Sequence, residues 1–349
     1  MNKDLIWTFA FNLIINSFLT FLTIAILIQM VIYIFRIKSP RVRVILLCIP
    51  FLKLALDPFL YDFQNWALLQ QINPLEAEIG SRSLLINIGY PLNTCFVIGL
   101  FVNNVSTFSL ADLAVLSLNP LAIRGFVVII LLITLGLFLC FALRLYKSVG
   151  TLSVIVKKSR PLLRPLQNQK LIEKIKRIDS QLILSSEVKA PCAFGVFAKW
   201  ICFPEELVDK LTQEEFEAII VHELDHLHWY DGVIRMMVLS LSTLFWWIPT
   251  KGWLKQLEYT QEMACDAKIH NFNITPLNLA SAMLKTASAA NKRPAFLFST
   301  CFIEKGSVMH RLQALSKVSL KKTNKSEWLK VSIAGIMATA ILMGRFWIF

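Results

Sequence analysis

The chain has 349 residues, of which 56% are hydrophobic and only 17% are charged. Soluble globular proteins carry charge on about a quarter of their residues, so this composition excludes an ordinary soluble protein and predicts an integral membrane protein. The formal net charge of +13 does not indicate direct nucleic-acid binding, because the basic residues cluster beside apolar runs, as the positive-inside rule describes. Seven cysteines without a C-x-x-C pair favour packing roles over a disulfide framework.

Four long apolar runs predict membrane spans. They lie at about residues 5–35, 44–60, 125–143 and 331–349. The first run contains no charged residue and is long enough to cross a bilayer with some tilt. Basic clusters follow the first and third spans, at residues 36–43 (including Arg41) and 144–177. Both clusters favour the cytoplasmic side, so an even number of crossings must separate them.

Two other apolar runs are predicted not to cross the membrane. Asparagine and proline interrupt residues 84–102, and the spans on either side already supply the two crossings. This run is therefore assigned to an outer loop, residues 61–124. Residues 236–250 are too few for a span. Their tryptophans and final proline favour a segment that lies at the membrane surface, or dips into the bilayer and returns.

The spans divide the chain into a membrane domain, residues 1–147, a more polar domain, residues 148–330, and a final transmembrane helix. Within the polar domain, Gly195 marks a turn between short strands. The strands are predicted at residues 183–185, 192–197 and 200–203.

A helix is predicted at residues 212–231, after the strands. Thr212 and Glu215 have the spacing of a capping box, in which each side chain binds a free N–H of the first turn. Asp231 and the glycine after it are predicted to end the helix.

This helix carries an H-E-x-x-H motif, which begins at His222 and ends at His226. Residues four apart share one face of a helix, so the two imidazoles can bind one Zn²⁺. Glu223 can act as the general base toward the attacking water. The motif alone is a weak indication, since it also arises by chance.

A catalytic zinc usually has three protein ligands, and the helix predicted at residues 254–270 supplies a candidate. Glu262 and Asp266 are four residues apart and share a face. Glu262 can bind the metal, and Asp266 can accept the second N–H of a ligand histidine. Glu258, one turn earlier, is the main alternative for the third ligand.

Other polar residues near the motif have weaker claims. His270 can help to stabilise an oxyanion, although a cation at a helix C-terminus is the more frequent role. Asp231 is a further candidate because it follows the motif closely. His228 and Asp225 are predicted to face away from the metal, and Arg311 is interpreted as structural.

These residues resemble the BlaR/MecR family of integral-membrane zinc metallopeptidases over about residues 190–315. The matching features are the strand region around Gly195, the capped entry to the motif helix, Asp231 after it, an aromatic run that ends at Pro249, and Glu262-x-x-Cys265-Asp266. The combination is specific, whereas the zinc motif by itself is not.

The resemblance implies a mostly α, integral-membrane protein with about four transmembrane helices. A cytoplasmic zincin-type α+β metallopeptidase domain would lie between spans three and four. It implies one Zn²⁺ per chain on His222, His226 and Glu262, with Glu223 as general base and Asp266 behind the ligands. It also implies a bacterial inner-membrane location and a protein substrate, such as a transcriptional repressor.

Two departures from the family pattern affect the expected function. Family sensors continue past the fourth span into an extracellular penicillin-binding domain, whereas this sequence ends at Phe349, so direct β-lactam sensing is not expected of it. Trp229 stands where relatives often have a basic residue.

Two alternatives remain: a housekeeping membrane protease similar to the HtpX or CAAX prenyl-protease families, and a non-catalytic signal transducer. Residues 291–301 are a candidate site of self-cleavage, and a homodimer is compatible with the sequence.

Overall fold

The computed structural model describes residues 3–71, 120–289, 300–301 and 311. Most of the predicted outer loop and the whole predicted span at residues 331–349 lie outside these residues. So does most of the candidate self-cleavage segment.

The described residues form nine α-helices, one 3-10 helix (Lys268–Phe272) and five short strands. The helices are α1 (Lys3–Ile34), α2 (Pro40–Gln71), α3 (Pro120–Lys158), α4 (Gln169–Ile178), α5 (Glu205–Val208), α6 (Gln213–His228), α7 (Asp231–Leu244), α8 (Lys251–Ala267) and α9 (Pro276–Ala289). The strands are β1 (Arg160–Pro161), β2 (Ser180–Ser185), β3 (Cys192–Phe194), β4 (Lys199–Pro204) and β5 (Thr300–Cys301). The mostly helical expectation and the three predicted strand regions are confirmed.

The strands form one sheet in the order β1-β2-β4-β3-β5. Strands β2 and β4 are parallel, and the other neighbours are antiparallel. Strand β4 pairs with β2 on one side and with β3 on the other, and β3 pairs with β4 and β5. Neither β3 nor β4 therefore presents a free edge along its paired residues. The turn between β3 and β4 needs glycine: Gly195 has φ +108°, and a Cβ there would lie 1.9 Å from the Ala198 carbonyl oxygen.

Helix α6 begins as predicted but ends earlier than predicted. The Thr212 side chain accepts from the Glu215 backbone N–H, and the Glu215 carboxylate accepts from the Thr212 N–H, so the capping box is confirmed. The helix stops at His228, and Tyr230 adopts a left-handed backbone conformation, φ 54°. Asp231 therefore begins α7 instead of ending α6, and the change of direction returns its side chain toward the motif.

Helix α6 is the centre of the polar domain. Its residues from Glu215 to Leu227 are all buried, and its apolar side chains pack on β3 and β4, the 3-10 helix and α9. A helix buried all round has no solvated face, so the polar side chains of the zinc motif must find partners inside the protein.

Helices α1, α2 and α3, which cover three of the predicted spans, lie together, and α7 and α8 pack against them. In the part of the chain that the structure describes, one helix is long and apolar enough to cross a membrane, at Arg124–Lys158. Only 11% of its most apolar window is buried inside the protein, so it does not resemble the core helix of a soluble domain. The other predicted spans do not meet this test within the described residues. An apolar cluster joins α1 and α2 to α7 and α8.

The apolar run at residues 236–250 turns back on itself. It forms the second half of α7 and a tight turn, in which the Ile248 N–H donates to the Phe245 carbonyl and the Thr250 N–H to the Ile248 carbonyl. Helix α8 then returns, and it carries Glu262. The motif helix and the third-ligand candidate therefore meet. A single membrane crossing by this run would instead put them on opposite sides of the membrane.

The capping box should contribute measurably to the stability of the domain. Thr212→Ala removes the acceptor for the Glu215 N–H, so we expect the free energy of unfolding to fall by about 1 kcal/mol. Thermal unfolding in detergent measures the change. Thr212→Ser keeps the hydroxyl acceptor and is the matched control; an equal loss in both variants would contradict the assignment.

Candidate metal centre

Three donor atoms converge between α6 and α8. The Nε2 atoms of His222 and His226 are 3.3 Å apart. Glu262 places Oε2 at 3.4 Å from His222 Nε2 and Oε1 at 3.6 Å from His226 Nε2. Tetrahedral zinc, with bonds of about 2.0–2.1 Å, separates its donors by about 3.3 Å. The three side chains therefore fit one zinc ion, and they form one of the groups in the described residues that could hold a metal.

The other predicted residues occupy different positions. Glu223 follows His222 on α6 and is fully buried. Glu258 lies 3.7 Å from Arg235 and is outside the donor group. His270, in the 3-10 helix, makes no hydrogen bond or ion pair with the donors within the described residues. His228 packs on Trp229, away from the donors.

Each histidine is held by a carboxylate on its other nitrogen. His222 Nδ1 lies 2.9 Å from Asp266 Oδ1, and His226 Nδ1 lies 2.8 Å from Asp231 Oδ2. A carboxylate at Nδ1 fixes the tautomer and leaves Nε2 available for a metal. Asp266 therefore occupies the predicted place, and Asp231 has the same relation to the second histidine.

Each of these carboxylates is in turn bound by an arginine. Arg311 is 1% exposed and reaches Asp266 with two nitrogens, at 2.6 and 2.8 Å. It also lies 3.0 Å from Glu262 Oε2. Arg41, from the start of α2, contacts both oxygens of Asp231, at 2.8 and 2.9 Å.

From the sequence, Arg311 is interpreted as structural and Arg41 as part of a basic cluster, which misses that each pairs with a carboxylate behind the donors. Asp225 faces away from the donors as predicted, but it is buried and pairs with Arg41 and Lys174. No spacing in the sequence indicates these pairs, because nothing in it aligns α2 or position 311 with the motif helix.

The surrounding charges set the ionisation of the site. Burial by itself lowers the pKa of His222, but its contacts with Asp266 and Glu262 outweigh burial and raise that pKa to about 9. Burial lowers the pKa of His226 below its ordinary value. Burial raises the pKa of Glu262, but Arg311 and the two histidines reverse this and hold it well below its usual range. Because a histidine must be deprotonated at the nitrogen that binds a metal, a metal would compete with a proton for His222.

A second group of metal-type ligands shares His226. It consists of His226, Asp231 and Cys265. The Arg41 guanidinium already fills it, because Arg41 contacts the Cys265 sulfur at 3.0 Å as well as Asp231. Burial raises the pKa of the Cys265 thiol well above its usual value, which keeps the sulfur uncharged. These atoms therefore serve the arginine and not a second metal.

A sequence model of the family described as BlaR1 peptidase M56 matches residues 106–315. The chain belongs to this family. The matched region contains all three donor residues and Glu223, and the family implies a metallopeptidase. Membership confirms the resemblance to the BlaR/MecR proteins.

Three curated relatives are similar over a shorter stretch. They are methicillin resistance mecR1 proteins of Staphylococcus aureus (strain Mu50 / ATCC 700699), Staphylococcus aureus and Staphylococcus epidermidis, each 28% identical over 86 residues. The alignment covers 24% of this chain and 15% of the length of each relative. The BlaR1 M56 family is thus shown, while the activity of the whole relatives is not transferred by so short a match.

Substitution of each third-ligand candidate should show whether Glu262 or Glu258 binds the metal. Glu262→Gln removes the carboxylate nearest both Nε2 atoms. Loss of a residue that only supports a ligand lowers metal affinity by up to about 100-fold, so loss of a ligand itself should lower Zn²⁺ affinity by at least about 100-fold. Glu258→Gln, on the same helix one turn away, is the control and should bind as the wild type. Competition with a chromophoric chelator measures both; the reverse result would exchange the two roles.

Proposed function

We propose that the chain is a membrane-anchored zinc metalloendopeptidase that hydrolyses peptide bonds in a cytoplasmic or membrane protein. The observation that carries the proposal is the convergence of His222, His226 and Glu262 at zinc-ligand spacing, with Glu223 next to the first ligand. Family membership supports a metallopeptidase. The neighbouring Glu223 favours catalysis, since a purely structural metal site needs no base.

The proposed roles follow from the position of each side chain. When bound at this site, zinc lowers the pKa of a water molecule to about 7 and polarises a carbonyl group. Glu223 takes the proton of the attacking water and returns it to the leaving amine. Asp266 and Asp231 hold the ligand histidines in the required tautomer. Burial excludes bulk water, which strengthens each of these electrostatic interactions.

A substrate has an approach beside His226. A small pocket there is lined by Gly195 and Val196 from the β3–β4 turn, and by Tyr230 and Val233 from the start of α7. Strand β5 pairs with Cys192 and Ala193 of β3, near this pocket. Because β5 ends the candidate self-cleavage segment at residues 291–301, this pairing supports the proposal that the chain can be its own substrate.

A regulatory role is proposed from the relatives. The names of these relatives refer to methicillin resistance, and the family resemblance implies a transcriptional repressor as the protein cleaved. We also propose that this chain cleaves such a repressor, and that it lies in the bacterial inner membrane with its active site on the cytoplasmic side. A housekeeping protease would use the same site on other substrates.

The turn between α7 and α8 is proposed to enter the bilayer and return. The Trp246 indole N–H donates to Thr134 Oγ1 at 3.1 Å, near the middle of the span proposed at residues 125–143. The Trp247 indole donates to Ser17 Oγ on α1 at 3.1 Å. These contacts support a position of the aromatic turn at the depth of two apolar helices.

Spin-label accessibility tests this depth, in a chain whose own reactive cysteines have been replaced. A nitroxide at position 246 should collide with oxygen dissolved in the bilayer more than with a water-soluble nickel chelate. A nitroxide at position 176, where Lys176 is exposed on α4 of the polar domain, should show the reverse. Preferential collision of position 246 with the nickel chelate would contradict the proposal.

Replacement of the general base tests the catalytic proposal. Glu223→Gln keeps the shape of the side chain but cannot take a proton, so peptide hydrolysis should fall by about 10²–10⁴-fold while Zn²⁺ remains bound. Cleavage of the chain itself and of labelled casein, together with metal content, are the measurements. Glu214→Gln, an exposed change on the same helix, is the control. Zinc in the wild type with no cleavage of itself, casein or co-expressed proteins would favour the non-catalytic transducer.

A further inference from the structure

We propose that Arg41, in the first turn of α2, is a positioning residue for the metal ligand His226. The proposal rests on the metal site described above. Arg41 does not touch the donor atoms. It acts through Asp231, which lies between its guanidinium and the imidazole of His226.

The guanidinium binds three separate groups behind the site. Its Nη1 atom contacts both oxygens of Asp231, and its Nη2 atom contacts Asp225 Oδ2 at 2.8 Å and the Cys265 sulfur at 3.0 Å. The indole of Trp229 packs over it at 5.3 Å. The planar fork of arginine makes these contacts in fixed directions, which the single ammonium of a lysine would not reproduce.

Asp231 depends on this arginine more than Asp225 does. Both carboxylates are buried, at 0% and 1% exposure. Asp225 also has Lys174 at 3.4 Å. Within the described residues Arg41 is the one lysine or arginine paired with Asp231, whose remaining partners are His226, the Gln261 amide at 3.3 Å and the Cys265 thiol at 3.7 Å. Without Arg41, the buried Asp231 carboxylate would lose the guanidinium that carries a full positive charge.

The orientation of Asp231 decides what His226 offers a metal. Asp231 Oδ2 accepts from His226 Nδ1 at 2.8 Å, which directs the Nε2 lone pair toward His222 and Glu262. A carboxylate that turns to find another partner would release the ring or change its tautomer. The arginine thereby fixes the direction of one of the three donors.

Arg41 also connects the site to the α1–α2 hairpin. It lies in the first turn of α2, about 190 residues before Asp231 in sequence. The hairpin is attached to α8 by the Trp253 indole, which donates to the Leu47 carbonyl at 2.8 Å, and by the Gln29–Gln256 amide pair at 2.7 Å. Since α8 carries Glu262, a shift of the hairpin against α7 and α8 would alter both Asp231 and the third donor.

The test measures metal binding by the full-length protein in detergent, with Zn²⁺ affinity from chelator competition and the visible absorption spectrum of bound Co²⁺. Arg41→Gln should weaken Zn²⁺ binding by about 10-fold or more and shift the Co²⁺ spectrum. Lys38→Gln removes one charge just before α2 at an exposed position, and this variant should match the wild type.

A double-mutant cycle separates positioning from general stability. If Arg41 acts through Asp231, Arg41→Gln should change Zn²⁺ affinity by less than about twofold in an Asp231→Asn background. An equal weakening in both backgrounds would overturn the proposal. So would an Arg41→Gln protein that is folded and binds Zn²⁺ and Co²⁺ as the wild type does.

Arg41→Lys decides the matter if Arg41→Gln does not fold. It keeps the charge but loses the two-pronged contact, so an affinity between those of the wild type and Asp231→Asn is expected, with a shifted Co²⁺ spectrum. Wild-type affinity and spectrum would refute positioning by Arg41. A wild-type protein that binds neither metal would instead refute the metal centre itself, and the role of Arg41 with it.

Discussion

The structure of this site depends on compensation of buried negative charge. Helix α6 is enclosed by other elements, yet it and its neighbours bury acidic side chains at and behind the three donors, namely Glu223, Asp225, Asp231, Glu262 and Asp266. Buried charges are tolerated only when they are paired, and removing one partner typically costs about 3–5 kcal/mol. Arg41, Arg311 and Lys174 supply the opposite charge, and a divalent ion at the three donors would supply more.

This compensation explains the two-sided construction of the centre. Arg311 holds Asp266, which holds His222, and Arg41 holds Asp231, which holds His226. The two arginines come from parts of the sequence on either side of the motif helix. The donors therefore keep their spacing only while both parts are in place, and the site belongs to the assembled protein instead of to the motif helix alone.

The α1–α2 hairpin has a structural role in this assembly. The apolar cluster between the α1–α2 hairpin and α7–α8 fixes the hairpin beside α8, and the tight turn at residues 245–250 brings α8 back to α6.

The sequence by itself determined the local features of this protein. The capping box at Thr212, the strands around Gly195 and the shared face of His222 and His226 follow from spacings of a few residues, which backbone geometry fixes. It also indicated Glu262 and Asp266, because residues four apart on a helix act together. The resemblance to the BlaR/MecR family rested on the same short patterns.

Only the tertiary structure decided which distant residues meet. The sequence predicted that Asp231 ends a helix, whereas the left-handed Tyr230 makes it the first residue of α7 and turns it toward His226. Arg41 looked like one basic residue among several near a span, and Arg311 like a structural one. Which buried carboxylate a given arginine neutralises depends on how helices pack across long stretches of chain, and no local spacing encodes that packing.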